Sequence, residues 1–164
     1  LSIHSFPTRR SSDLVGFLDG DMTAGEALSA LSEGNSSPLK ELHRASVLCN
    51  DATFDPLAKN QPVMDRATQG NATDGAVLKF AEAAQKGCSE SINDDNPRVF
   101  QIPFNSKSKW MLTLHKTDST GAEPRFLMLI KGAPDVLQPH CTSYWSYESN
   151  TIKPFDLADR KSVV

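Results

Sequence analysis

Val99-Phe100-Gln101-Ile102-Pro103-Phe104-Asn105, then Trp110-Met111-Leu112-Thr113-Leu114, then Arg125-Phe126-Leu127-Met128-Leu129-Ile130 are the three stretches that decide the fold. In the first, Phe100, Ile102 and Phe104 alternate with Val99, Gln101 and Pro103, which is the period of a strand that turns one face to a core. Trp110, Leu112 and Leu114 repeat that alternation. The third stretch is apolar on both faces and predicts a central strand. A Thr/Asp/Ser/Gly/Pro cluster at 116–124 suits a hairpin connection. Three neighbouring strands with short connections give an antiparallel sheet.

The period upstream is that of helices. Ser37-Pro38 offers an N-cap followed by proline at the first helical position, and Leu39, Leu42, Ala45 and Leu48 follow at three-residue steps. That helix should run to about Asn50. Residues 51–62 read as a loop. A second cap-like start at Thr73 precedes Ala76, Val77, Phe80, Ala81 and Ala84, which share one helical face. Residues 89–97 read as a polar break before the first strand. After the sheet, Pro134 should open a short helix with Asp135 in its first turn, ending near His140. With no internal repeat and no long linker, the reading is one α+β domain, an antiparallel sheet flanked by helices, over residues 38–158. Residues 15–37, rich in Gly, Ser, Asp and Asn, read as a flexible lead-in.

Length and composition exclude several classes. The 164 residues are 38% hydrophobic and 23% charged, as in one globular domain. The longest apolar run, 126–130, is far below the roughly 20 residues of a membrane-spanning helix, so no direct membrane contact is expected. Cys49, Cys88 and Cys141 are widely spaced and form no CxxC pattern, which fits a reducing, cytosolic setting rather than a disulfide or zinc framework. A net charge of -3 gives no case for nucleic acid. The ends stand apart. Residues 1–14 resemble one reading frame of a common sequencing adapter and residues 159–164 resemble its complement, so both are expected to be non-native and are set aside. Without their four basic and two acidic residues, 13 basic and 18 acidic side chains remain.

Four motifs in order then carry a resemblance: Cys49-Asn50-Asp51-Ala52, Gly70-Asn71-Ala72-Thr73-Asp74-Gly75-Ala76-Val77-Leu78-Lys79, Ile102-Pro103-Phe104-Asn105-Ser106 and Lys131-Gly132-Ala133-Pro134-Asp135. Together they resemble the nucleotide-binding domain of P-type cation-transporting ATPases, nearest to the sodium/potassium pump branch. The resemblance implies that domain's fold, truncated here at its C-terminal end. It also implies ATP as ligand and Mg2+ held mainly by parts of a pump outside these residues. The implied partners are the phosphorylation and actuator domains of such a pump, on the cytoplasmic face of a membrane. The Asp-Lys-Thr-Gly-Thr motif that these pumps phosphorylate occurs nowhere in the chain, so this segment is expected to bind ATP and not to hydrolyse it.

Neither GxxxxGK[ST] nor GxGxxG is present to cradle phosphates, so any nucleotide would be held by its base. Phe104 could stack on a purine, as the resemblance implies, or complete the core face begun by Phe100 and Ile102. Lys109 and Lys131 are the cations expected to meet phosphate or ribose oxygens, and Gly132 allows close approach of backbone to ligand. By resemblance Lys131 and Gly132 belong to the ATP pocket and Lys109 matches a second pocket lysine. Asp74 stands where the family usually has a glutamate at the adenine amino group, and Met111 where the sodium/potassium branch commonly has glutamine. A direct adenine contact, a water-bridged one or a first-turn helix role are all open to the shorter Asp74. His43, His115 and His140 share no metal or triad spacing. Two other classes remain: a nucleotide-independent interaction domain with the same fold, and a kinase or phosphatase fragment.

Overall fold

In the computed structural model, which describes residues 4–5, 38–117, 125–146, 149 and 151–155, the chain opens with a two-residue strand, His4–Ser5 (β1). Helix Pro38–Leu48 (α1) follows, ending two residues short of Asn50, while Ser37 lies outside the described residues. The segment read as a loop carries more order than its composition announced. Thr53–Phe54 (β2) pairs antiparallel with Thr68–Gln69 (β3), around two 3-10 turns at Pro56–Ala58 and Val63–Asp65. Asp55 caps the first of these turns by accepting from the Leu57 N–H.

Helix Ala72–Ala84 (α2) is capped by Asn71, whose side chain accepts from the Asp74 N–H. Its buried face is Asp74, Gly75, Leu78, Ala81 and Glu82, not the stripe of Ala76, Val77, Phe80, Ala81 and Ala84 that the sequence favours. Phe80 is exposed. Polar groups displaced that stripe, because Asp74 and Glu82 each find partners inside. The polar break at 89–97 is instead largely a helix, Cys88–Asp95 (α3). Only Cys88 and Ile92, one turn apart, meet the small core of Val47 and Ala81, too little for an apolar stripe to show. The Glu82 carboxylate holds this helix start, accepting from the Gly87 N–H at 2.6 Å and from the Ser89 N–H and hydroxyl at 3.1 and 2.9 Å.

Strands Arg98–Asn105 (β4), Trp110–Thr117 (β5) and Arg125–Gly132 (β6) form the antiparallel sheet in the order β4-β5-β6. Thus β5 is the centre and the strongly apolar β6 lies at an edge among the described residues, the reverse of the expectation. The turn at 118–124 lies outside the described residues, but the pairing of Thr117 with Arg125 is that of a hairpin. On β5 the fully buried side chains are Met111, Thr113 and His115, whereas Trp110, Leu112 and Leu114 are half-buried. The C-terminal end of α1 covers the first face, with the Cys49 thiol 3.8 Å from the Leu129 carbonyl. The apolar alternation therefore marks the more open face. Pro134–Leu137 (α4), continued by a 3-10 turn at Gln138–His140, occupies the expected place. Beyond it Ser143–Ser146 (β7) and Thr151–Pro154 (β8) form a hairpin, and β7 pairs in parallel with β1.

Replacing Glu82 by Ala should cost about 1 to 3 kcal/mol of stability at neutral pH, because three donors lose a buried acceptor. Burial pushes the Glu82 carboxyl up, but the Gly87 and Ser89 donors outweigh it and hold the group below its ordinary value. Its contribution is therefore present above the unfolded value of about 4.3 and lost as pH falls through the lower folded value. Denaturant unfolding of Glu82→Ala against the parent at pH 7 and pH 3 checks this, and an equal gap at both would contradict it.

Candidate functional site

Asp74 is the centre of a polar cluster that joins three parts of the chain. It lies in the first turn of α2, only 3% exposed. Oδ1 pairs with the Lys131 ammonium at 2.5 Å, and Oδ2 accepts from the Asp51 N–H at 3.1 Å. Its backbone carbonyl accepts from the Asn50 side-chain amide at 3.0 Å, and that amide also reaches the Ser46 carbonyl. Asn50 Oδ1 accepts from the Ala52 N–H, closing a local turn. Burial pushes the Asp74 carboxyl up. The Lys131 ammonium, the Asp51 N–H and Asn71 overcome that and hold it below the usual carboxylate range.

Lys131 is thus no lone surface cation. It sits on β6 opposite Met111, its ammonium on Asp74 and its side chain 35% exposed. Met111 itself is wholly buried. Phe104 reaches the same row through an irregularity. Ile102 pairs with Leu112 and Asn105 with Trp110, so two residues of β4, Pro103 and Phe104, stand opposite the single Met111. Such a bulge shifts the side-chain alternation by one residue and places Phe104 with Met111 and Lys131 instead of with Phe100 and Ile102. Phe104 is 54% exposed, but Phe100 is as exposed and Ile102 is exposed too, so the face of β4 expected to meet a core is open.

Gly132 and Lys109 are set by the β5–β6 pairing. A Cβ at Gly132 would lie 2.5 Å from the Lys109 carbonyl oxygen and 2.6 Å from Trp110 Cβ. The close approach that glycine permits is to this neighbouring backbone, and the Ala133 N–H then donates to the Lys109 carbonyl at 2.9 Å. Lys109 ends the turn after β4 with φ +59°, a left-handed conformation in a non-glycine residue. Its ammonium lies 3.5 Å from Asp135 at the start of α4, in a solvent-exposed pair of small energetic weight. Lys131 and Asp74 are brought together by the ion pair, and Phe104 lies on the same sheet with β5 between its strand and that of Lys131. Gly132 follows Lys131 on β6, and Lys109 lies in the turn immediately before β5.

Sequence reasoning missed Asn50, Asp51 and Arg98. An Asn-Asp pair just past the last turn of α1 is a signal for side chains that bond backbone, and it was available. Arg98 carried no signal. Its guanidinium reaches the Asp51 carboxylate at 2.8 Å, the Leu48 carbonyl at 3.1 Å and the Asn50 carbonyl at 2.6 Å. Among the described residues no group of three His, Cys, Asp or Glu side chains is placed to hold a metal ion, and no helix is long and apolar enough to cross a membrane.

Residues 38–163 match the family described as P-type ATPase, cytoplasmic domain N. The potassium-transporting ATPase alpha chain 2 of Cavia porcellus is 39% identical over 109 residues, which are 66% of this chain and 10% of that protein. The sodium/potassium-transporting ATPase subunit alpha of Tetronarce californica is 35% identical over 102 residues, 62% of this chain and 10% of that one. The human potassium-transporting ATPase alpha chain 2 is 39% identical over 102 residues. The chain thus spans about a tenth of the length of these relatives.

Lys131→Met should destabilise the fold by about 1 to 3 kcal/mol at neutral pH, since it strips the cation from a buried carboxylate. The folded Asp74 value is depressed, so the pair contributes above the unfolded value of about 3.9 and its contribution fades as pH falls through the folded value. The stability gap between parent and variant should accordingly close in acid. A gap unchanged from pH 7 to pH 3 would show that the ammonium does not act on Asp74.

Proposed function

Because this chain belongs to the P-type ATPase cytoplasmic domain N family, we propose that it is an ATP-binding domain of a cation-transporting pump. In this reading it presents ATP to an aspartate in a separate phosphorylation domain, and the actuator domain is a further partner at the cytoplasmic face of the membrane. The observation that carries the reading is the exposed aromatic ring of Phe104, turned by the Pro103 bulge onto the row of Met111 and Lys131. The adenine stacks on Phe104. Lys131, anchored by Asp74, offers its ammonium to ribose or phosphate oxygens, and Lys109 supplies a second cation to the phosphates. Gly132 keeps the strand crossing low beside them. Asp74 acts through Lys131, as its carboxylate is already engaged by the ammonium and the Asp51 N–H.

The chemistry follows from what such a site leaves free. The γ-phosphoryl group projects away from a base-held nucleotide. A carboxylate oxygen of the other domain attacks the γ-phosphorus, the bond to the β,γ-bridging oxygen breaks, and ADP leaves with the bond's electron pair. Mg2+ would be held by the phosphates and by other parts of the pump. The residues of this chain bind, orient and release.

Titration of the chain with a fluorescent ATP analogue, displaced by unlabelled ATP, tests the reading. No displaceable signal would favour the nucleotide-independent interaction domain. Phe104→Ala should weaken ATP, ADP and AMP by a similar factor, on the order of tenfold for a stacking loss in the lower half of about 1 to 3 kcal/mol. Phe104→Trp should retain binding. Since the ring is exposed, neither change should lower the unfolding midpoint appreciably; a large loss of stability with normal nucleotide affinity would end the stacking assignment.

A further inference from the structure

The Asp74–Lys131 pair is only as well placed as the segment that holds Asp74 from the other side, and that segment has no helix or strand of its own at 49–52. Two bonds run from it to Asp74: the Asp51 N–H to Oδ2, and the Asn50 amide to the backbone carbonyl. Past its last turn α1 leaves carbonyls without helical donors. The guanidinium of Arg98, at the start of β4, fills that role for Leu48 and Asn50 and pairs with the Asp51 carboxylate as well. A fourth contact, to the Gln101 side chain at 2.5 Å, fixes the guanidinium against its own strand. Its planar fork can serve the two carbonyls and the carboxylate at once, which an ammonium cannot.

We infer that Arg98 is a positioning residue for the nucleotide site, locking the Leu48–Asp51 turn so that the Asp51 N–H and the Asn50 amide hold Asp74 where it orients Lys131. The inference rests on the nucleotide-site reading for its effect on ligand, but the link from Arg98 to Asp74 stands or falls independently. Arg98 bonds the Asp51 carboxylate and the Leu48 and Asn50 carbonyls, whereas Asp74 is met by the Asp51 N–H and the Asn50 amide, so its influence passes through the turn. Arg44 makes a useful comparison: it is another partly buried arginine, bonded to the Asn96 side chain at 2.5 Å and paired with Glu41, with no bond to the 48–51 turn among the described contacts.

The test uses the whole 164-residue chain with Arg98→Met, Arg98→Lys and, as control, Arg44→Met. Carboxyl titration by NMR reads the Asp74 pKa, and ATP-analogue titration reads affinity. Arg98→Met should raise the Asp74 pKa toward the ordinary carboxylate range and weaken nucleotide binding about three- to tenfold. Arg98→Lys, which keeps one donor group, should shift both in the same direction by less, and it carries the test if the methionine variant does not fold. Arg44→Met should leave the Asp74 pKa where it is in the parent. In an Asp74→Asn background the further effect of Arg98→Met on affinity should vanish. An unshifted Asp74 pKa in both Arg98 variants, or a loss of affinity equally large with Asp74→Asn present, would overturn the positioning role. A parent that binds no nucleotide while Arg98 still shifts Asp74 would refute the nucleotide reading and leave the link intact.

Discussion

A carboxylate that is 3% exposed is tolerable only if its charge is met from several sides, and Asp74 imposes that demand on everything around it. Lys131 has to come from β6 and the Asp51 N–H from the turn after α1, while the Asn71 cap, just before α2, accepts from the backbone N–H of Asp74 itself. These partners are 57, 23 and 3 residues away in sequence. One buried charge thereby fixes the helix start, the turn and the sheet edge in a single arrangement. Removing it would leave a lysine and a backbone donor without their acceptor, so the cluster is satisfied as a whole or not at all.

The second constraint is the single extra residue at Pro103. Were β4 paired regularly, with Pro103 alone opposite Met111, Phe104 would fall opposite Trp110 on the face of Phe100 and Ile102. Proline suits the place, because a bulged residue need not donate to the ladder and proline cannot. The aromatic ring and the cation thus belong to two strands that do not touch, with β5 between them.

These two features also mark what could be read from the chain and what could not. The three sheet strands, the existence of α1, α2 and α4, and the hairpin order follow from periodicity and turn chemistry, and those signals are local. The failures have physical causes. The polar helix α3 has no stripe to announce it, because its contact with the core is two residues wide. On α2 and β5 the inward faces mix polar with apolar side chains, Asp74 and Glu82 beside Leu78 and Ala81 on one and Thr113 and His115 beside Met111 on the other. A hydrophobic pattern assigns such faces to solvent. Nδ1 of His115 lies 2.9 Å from the Asn96 carbonyl, and burial holds its pKa below the ordinary histidine range. Lys131 and Asp74 were each legible as candidates through the motifs around them, but their pairing was not, since 57 residues of chain separate them. Arg98, whose partners lie about 50 residues upstream, was silent for the same reason.

The electrostatics of the cluster bear on how the proposed site would hold ATP. Lys131 already spends most of its charge on Asp74, and Lys109 is exposed beside Asp135, so neither lysine offers an isolated positive field to a triphosphate. With the whole chain at -3, long-range attraction does not add to them. Binding energy must then come chiefly from the base, through the open ring of Phe104. A site of this kind differs from a phosphate-cradling loop in what it leaves accessible. A loop of backbone N–H groups wraps the β- and γ-phosphates and shields them, whereas a ring and two partly neutralised lysines leave the terminal phosphate uncovered. For a domain whose proposed role is to hand that phosphate to a carboxylate elsewhere, a weak hold on the phosphates is a requirement of the chemistry: whatever this domain stabilised in the ground state, the transfer step would have to undo.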